Sequence, residues 1–113
     1  LKRTGCVWIA IQNEIAYLKE VKANTKVIIS SKTIEMSDRV SKVEILMKSE
    51  DEKTINAVLW ITVIYFNMRT RQSEALPPDE KAFFDKYLIE VEEKEFKDRV
   101  FHFRKQNKII NGN

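Results

Sequence analysis

Between residues 6 and 18 the chain alternates. Val7, Ile9, Ile11, Ile15 and Tyr17 make one apolar row broken only by Asn13, and the other row mixes Trp8 and Ala10 with Gln12 and Glu14. A period of two with β-branched enrichment predicts a strand buried on one face. After a polar loop at 19–24, residues 25–34 form a second strand richer in hydroxyls. Met36-Ser37-Asp38 has turn character. Residues 39–48 alternate again, with Val43, Ile45 and Met47 on one face and Lys42, Glu44 and Lys48 mostly on the other. A solvated loop at 49–53 leads into residues 54–67, which are apolar on both faces. That predicts a central strand covered on two sides. Four consecutive strands with short polar connections predict an antiparallel meander, because no crossover helix is available for a parallel sheet.

The pattern then changes period. Leu76-Pro77-Pro78-Asp79-Glu80 puts proline and then acids where a helix should begin, since the first turn needs no amide donors and favours negative charge. Phe84, Tyr87, Leu88 and Val91 recur at three- and four-residue spacing. A second helix is predicted over 90–108, with its acids early and its bases late, and with Val91, Phe96, Val100 and Phe103 toward the sheet. The prediction is one α+β domain over 1–113, with strands over 6–67 and a helical tail over 77–110.

Composition narrows the function classes. With 43% apolar and 33% charged residues, the 113-residue chain reads as one soluble globular domain. Its two glycines, Gly5 and Gly112, lie near the ends, so there is no glycine-rich phosphate cradle. One cysteine and one histidine exclude a Cys/His zinc site and an internal disulfide. No metal is therefore expected. The net charge of +3 comes from interspersed acids and bases, which does not predict a nucleic-acid binder. The apolar run at 57–66 is half the length of a bilayer span, and no secretory signal opens the chain. A cytoplasmic protein without membrane partners is expected. The start at Leu1 instead of methionine leads us to expect a processed or truncated N-terminus.

The order of features carries a resemblance. Residues 8–18 have the form W-x-x-x-x-x-E-I-x-Y-L and lead through a loop into two more strands. A long apolar strand then runs into a polar turn of the L-P-x-E kind, here within residues 67–80. Over 8–88 this resembles the hot-dog fold thioesterases of the 4-hydroxybenzoyl-CoA thioesterase type, whose members mostly hydrolyse acyl-CoA or acyl-carrier-protein thioesters. The resemblance implies a hot-dog-like sheet, no cofactor beyond coenzyme A as part of the substrate, and two subunits pairing their sheets edge to edge; the two apolar faces of residues 54–67 predict at least a homodimer, or a homotetramer through sheet-face packing. The departures matter too. The family's D-x-x-G/N-H-V-N-N stretch and central helix, which hold the catalytic carboxylate, are not found here. Lys22-Ala23-Asn24 stands where glycine is usual, and the tail beyond residue 88 is unmatched.

Several residues are candidates for chemistry. Glu14 is a weak candidate for the carboxylate that activates water, against the simpler reading of a sheet-surface charge. Asn13 interrupts an apolar row, and a buried amide needs partners that a ligand would supply; a β-bulge turning it outward is the alternative. Ser37, Arg39 and Lys42 cluster at one turn, and Arg69 and Arg71 follow the long strand. The resemblance implies that such residues face the phosphates of coenzyme A, by charge-assisted hydrogen bonds. Cys6 and His102 are far apart in sequence and do not make a nucleophile–base pair. Trp8 and Trp60 read as core or interface anchors, and the acids at 50–52 and 90–95 as solvated. Two other readings stay open: a non-catalytic hot-dog module that binds acyl groups or oligomerises, and an unrelated α+β domain whose helices pack on the sheet.

Overall fold

The apolar run expected at the centre of the sheet is β4 (Ile55–Asn67) of the computed structural model, which describes residues 5–111. The start at Leu1 and the second glycine, Gly112, lie outside those residues. The other strands are β1 (Cys6–Tyr17), β2 (Val27–Met36), β3 (Val40–Ser49) and the short β5 (Gln72–Ser73). Two helices follow, α1 (Pro78–Asp85) and α2 (Phe96–Asn111). The sheet order is β1-β4-β3-β2, with β5 paired to β4.

The expected four-strand meander is thereby corrected. β2, β3 and β4 follow one another through tight turns, but β1 lies beyond β4 and not beside β2. At one end of the pair the Leu18 and Lys19 amides donate to the Asn56 carbonyl, and at the other Met68 donates to Gly5, so β1 and β4 are antiparallel. Placing β1 there gives β4 a neighbour on both edges, which a long strand with two apolar faces needs to pair its backbone out of water. The loop after β1 turns at Asn24, whose φ is +64°. Asparagine enters the left-handed region at low cost, so the chain turns here without a glycine.

Chain contacts divide the molecule into two compact units, and each of the four long strands contributes a length to both. Unit 1 comprises 1–13, 32–43 and 61–90. Its core is Cys6, Tyr65 and Leu76, with Trp8, Met36 and Phe84 packed against them. The Trp8 ring lies 5.3 Å from Tyr65 and meets Phe84 edge-on at 6.1 Å. Helix α1 starts as predicted, with proline at its first position and Asp79 and Glu80 in the first turn. Its chain then returns to β2, where Ile89 donates to the Thr33 carbonyl.

Unit 2 comprises 14–31, 44–60 and 91–113. Here α2 begins at Phe96 and not at residue 90. Four glutamates within six residues repel one another on a helix, and the Glu95 carbonyl accepts the first bonds, from the amides of Asp98 and Arg99. Glu44, on the face opposite Val43, Ile45 and Met47 as the alternation predicts, is not at the surface. Glu44 has no exposed surface; it shares its side of the sheet with buried Leu46, and α2 covers it. Arg99 reaches it through Nε to Oε2 at 2.7 Å and Nη2 to Oε1 at 2.9 Å, while Trp60 Nε1 donates to Oε2 at 2.9 Å. Phe96 meets the Trp60 ring at 5.4 Å, and Phe103 is buried under the Arg99 guanidinium at 4.4 Å. The Asn107 amide closes the interface: its Oδ1 accepts from the Ile55 N–H at 2.9 Å and its Nδ2 donates to the Ile55 carbonyl at 2.8 Å.

The row of β1 expected to be buried is not covered within the described residues. Val7, Ile11, Ile15 and Tyr17 are exposed, Ile11 and Ile15 by half or more (56% and 50%). Patterning fixes which residues share a face, but not what covers it.

Candidate functional site

Unit 1 gathers the two basic turns that the sequence presents as separate clusters. The β2–β3 turn is built by Ser37, whose hydroxyl accepts from the amides of Arg39 (3.3 Å) and Val40 (3.0 Å) and donates to the Val40 carbonyl. This leaves the Arg39 side chain exposed, and its Nη1 donates to the Ser73 carbonyl at 3.2 Å. The Leu76 amide donates to the Asp38 carbonyl. These two bonds lay the β2–β3 turn along the segment that follows β4.

That segment is equally fixed. Asn67 Oδ1 accepts from the amides of Arg69 (2.8 Å) and Thr70 (3.2 Å), and the chain reverses through Arg71 at φ +63°. Both arginine side chains are left at the surface, and Arg71 lies 5.5 Å over the Phe66 ring. Lys42 is more enclosed and pairs with Glu35 at 3.7 Å. Arg39, Arg69 and Arg71 are thus exposed cations on two joined turns, suited to an anionic group that spans them. Ser37 builds the turn beneath them.

Three partly or fully buried carboxylates are engaged by neighbours. Glu44 is held by Arg99 and Trp60. Glu74 accepts from the Asn67 amide at 2.6 Å and from the Cys6 thiol at 3.4 Å. Glu93 accepts from Arg99 Nη1 at 2.9 Å and stands 3.8 Å from His102 Nδ1. Burial pushes the Glu93 carboxyl up, but the hydrogen bond from Arg99, helped by one from its own backbone, outweighs it and holds it below its ordinary value. Burial likewise pushes the Arg99 guanidinium down, and the two glutamates more than reverse this. Cys6 and His102 each stand beside a different carboxylate, Glu74 and Glu93.

Glu14 is half-buried on β1 and Asn13 beside it is exposed. The buried amide is instead Asn56, which sequence alternation does not single out because it sits in an apolar run. Its Nδ2 donates to the Lys19 carbonyl at 3.3 Å, and its Oδ1 has no hydrogen-bond partner. Among the described residues no cluster of His, Cys, Asp or Glu side chains could hold a metal ion, and no helix is long and apolar enough to cross a membrane.

No protein-family model and no curated protein sequence matches the chain. Solved structures do. A hypothetical protein from Staphylococcus aureus, solved in complex with CoA, is 15% identical with a TM-score of 0.68, over 83% of this chain and 61% of that one. A probable thioesterase from Escherichia coli is 14% identical with a TM-score of 0.68, over 78% of this chain and 66% of that one. A 12:0-ACP thioesterase from Umbellularia californica is 11% identical with a TM-score of 0.74, over 86% of this chain and 37% of that one. This chain therefore spans less than two thirds of the length of each. At these identities the likeness establishes the fold: a hot-dog-like antiparallel sheet with C-terminal helices.

Proposed function

We propose that this chain is a thioesterase module of the hot-dog class, of the 4-hydroxybenzoyl-CoA type that its motif order resembles, acting on acyl groups carried by coenzyme A or an acyl carrier protein. The observation that carries the reading is the sheet it shares with solved thioesterases; the joined turns bearing Arg39, Arg69 and Arg71 add a place for the carrier's phosphates. In this reading a carboxylate takes a proton from water, the resulting hydroxide adds to the thioester carbonyl, and the C–S bond breaks to release the thiolate. Glu14 is the carboxylate first in line, since Glu44, Glu74 and Glu93 are committed to neighbours. The test is thiol release from short, long and aromatic acyl-CoAs. Release above background is expected, with Glu14→Gln abolishing it. Arg39→Gln and Arg71→Gln should raise KM by about three- to tenfold for acyl-CoAs. They should not do so for N-acetylcysteamine thioesters, which lack phosphate. Acyl-CoA binding without release would favour a second reading, a non-catalytic acyl-binding module, which the commitment of those three carboxylates also supports.

The same reading includes a homodimer through β1. That strand forms an edge of the sheet, presents exposed Ile11 and Ile15, and carries Glu14 as its one charged residue. Such an edge is a template for another strand, here the same one from a second copy. Antiparallel self-pairing brings the middle of β1 opposite itself. Ile11→Asp should therefore set like charges across the two-fold axis and convert a dimer to a folded monomer, read by light scattering and circular dichroism. A wild-type monomer at high micromolar concentration would remove this part of the reading.

A further inference from the structure

The outward stripe of α2 takes no part in the packing described above. Phe101, Arg104, Lys105 and Lys108 recur at i, i+3, i+4 and i+7, so they lie on one helical face opposite buried Arg99 and Phe103. Within unit 2 this stripe forms one wall of an open groove of about 440 Å³, whose other wall is Leu18 and Lys19. The apolar part of its lining comes from half-buried Leu18 and exposed Phe101. Lys105 lies 5.4 Å over the Phe101 ring. Among the described residues Lys19, Arg104 and Lys108 form no ion pair, although the chain carries 17 acidic residues to its 20 basic ones.

We infer that this groove docks an acidic amphipathic helix of a partner protein, with carboxylates on the cations of both walls and an apolar side chain against Phe101 and Leu18. The distribution of charge selects the occupant. These cations flank the C-terminal half of α2, where the macrodipole is negative and adds nothing to the hold on a compact phosphate. They are also exposed on flexible stems, so the positive charge is spread over about one turn of α2, roughly 6 Å from Arg104 to Lys108 at 1.5 Å per residue, and on to Lys19. A row of carboxylates matches that spread. A flat anionic membrane would meet the crest of α2 and not the groove that Lys19, Arg104 and Lys108 line together. A partner helix antiparallel to α2 also brings its positive end to the negative end of α2. The docking does not depend on thioester chemistry and is read by binding alone.

The experiment is fluorescence anisotropy of the full chain with a labelled, stapled Glu/Leu helix, with its Gln/Leu counterpart as control. Binding of the Glu helix alone is expected, weakening at least tenfold as NaCl rises from about 50 to 300 mM. Arg104→Glu and Lys108→Glu should each weaken it about tenfold, and Phe101→Ala severalfold. Lys53→Glu, in the hairpin loop after β3, should leave it unchanged. These positions are all exposed, and Arg104→Gln provides a milder variant if a reversal lowers the melting temperature. Equal weakening by Lys53→Glu would mean bulk attraction and would overturn the inference. So would binding to phosphatidylserine vesicles or to 3′,5′-ADP without binding to the acidic helix.

Discussion

Arg99→Leu is expected to destabilise the protein by about 3–5 kcal/mol, because it leaves the Glu44 carboxylate buried without its cation. Truncation of a surface arginine has no such effect, so the size of the loss is itself diagnostic. In the variant Glu44 keeps the Trp60 Nε1 donor but loses its cation, and must either protonate or pull water into the interface. Glu44→Leu combined with Arg99→Leu should recover most of the loss, since an apolar pair of similar volume removes both charges. Denaturant melts of the four proteins in this cycle give the coupling directly; additive losses would mean that the two side chains do not sense each other. Acid should mimic the single variant in part. The folded-state pKa of Glu93 is depressed, so its contribution is complete above the ordinary value of 4.5 and is lost as pH falls through the depressed value. Glu93→Gln should flatten that part of the acid dependence.

Tyr65→Ala should cost a similar amount, about 3–5 kcal/mol, by a different route. Tyr65 is 4% exposed on the central strand and fills the space between Cys6, Leu76 and Trp8. Removing the ring opens a cavity in the core of unit 1, directly under the segment that carries Arg69 and Arg71. The predicted consequence is loss of amide protection at the Leu76 and Glu74 N–H groups, which close onto Asp38 and Tyr65, along with the stability loss. Tyr65→Phe keeps the ring and should recover most of the packing contribution. Equal losses in both variants would assign the effect to the hydroxyl instead.

The position of β4 is legible in the sequence because two apolar faces demand cover and both strand edges demand partners. The position of β1 is not, since alternation says nothing about which distant strand a segment pairs with. Glu44 is illegible for a related reason. In an alternating strand Glu44 groups with Lys42 and Lys48 as one polar face, and the arginine that pairs with it in the interior lies 55 residues away. The available signals were Leu46 on the same side and an arginine set within the apolar stripe of α2. The helix start was misplaced because the charge gradient over 90–108 suits a dipole, while the crowding of like charges at 90–95 counts against it locally. Ser37, Arg39, Arg69 and Arg71 were legible as two basic turns. Their adjacency was not, because it depends on backbone bonds from Leu76 to Asp38 and from Arg39 to Ser73.

The paired hydrogen bonds between Asn107 and Ile55 have a consequence for assembly. A carboxamide has the same donor and acceptor as a peptide group, so one side chain of α2 stands in for a neighbouring strand at the first residue of β4. It thereby fixes which residue of β4 counts as the first. A slip of one position would turn every side chain of the strand to the opposite face, and it would also break both bonds to this amide. The residue that checks the register lies 52 positions downstream. During synthesis β4 therefore emerges, aligned on β3 by the turn between them, well before this second check on its register arrives with α2.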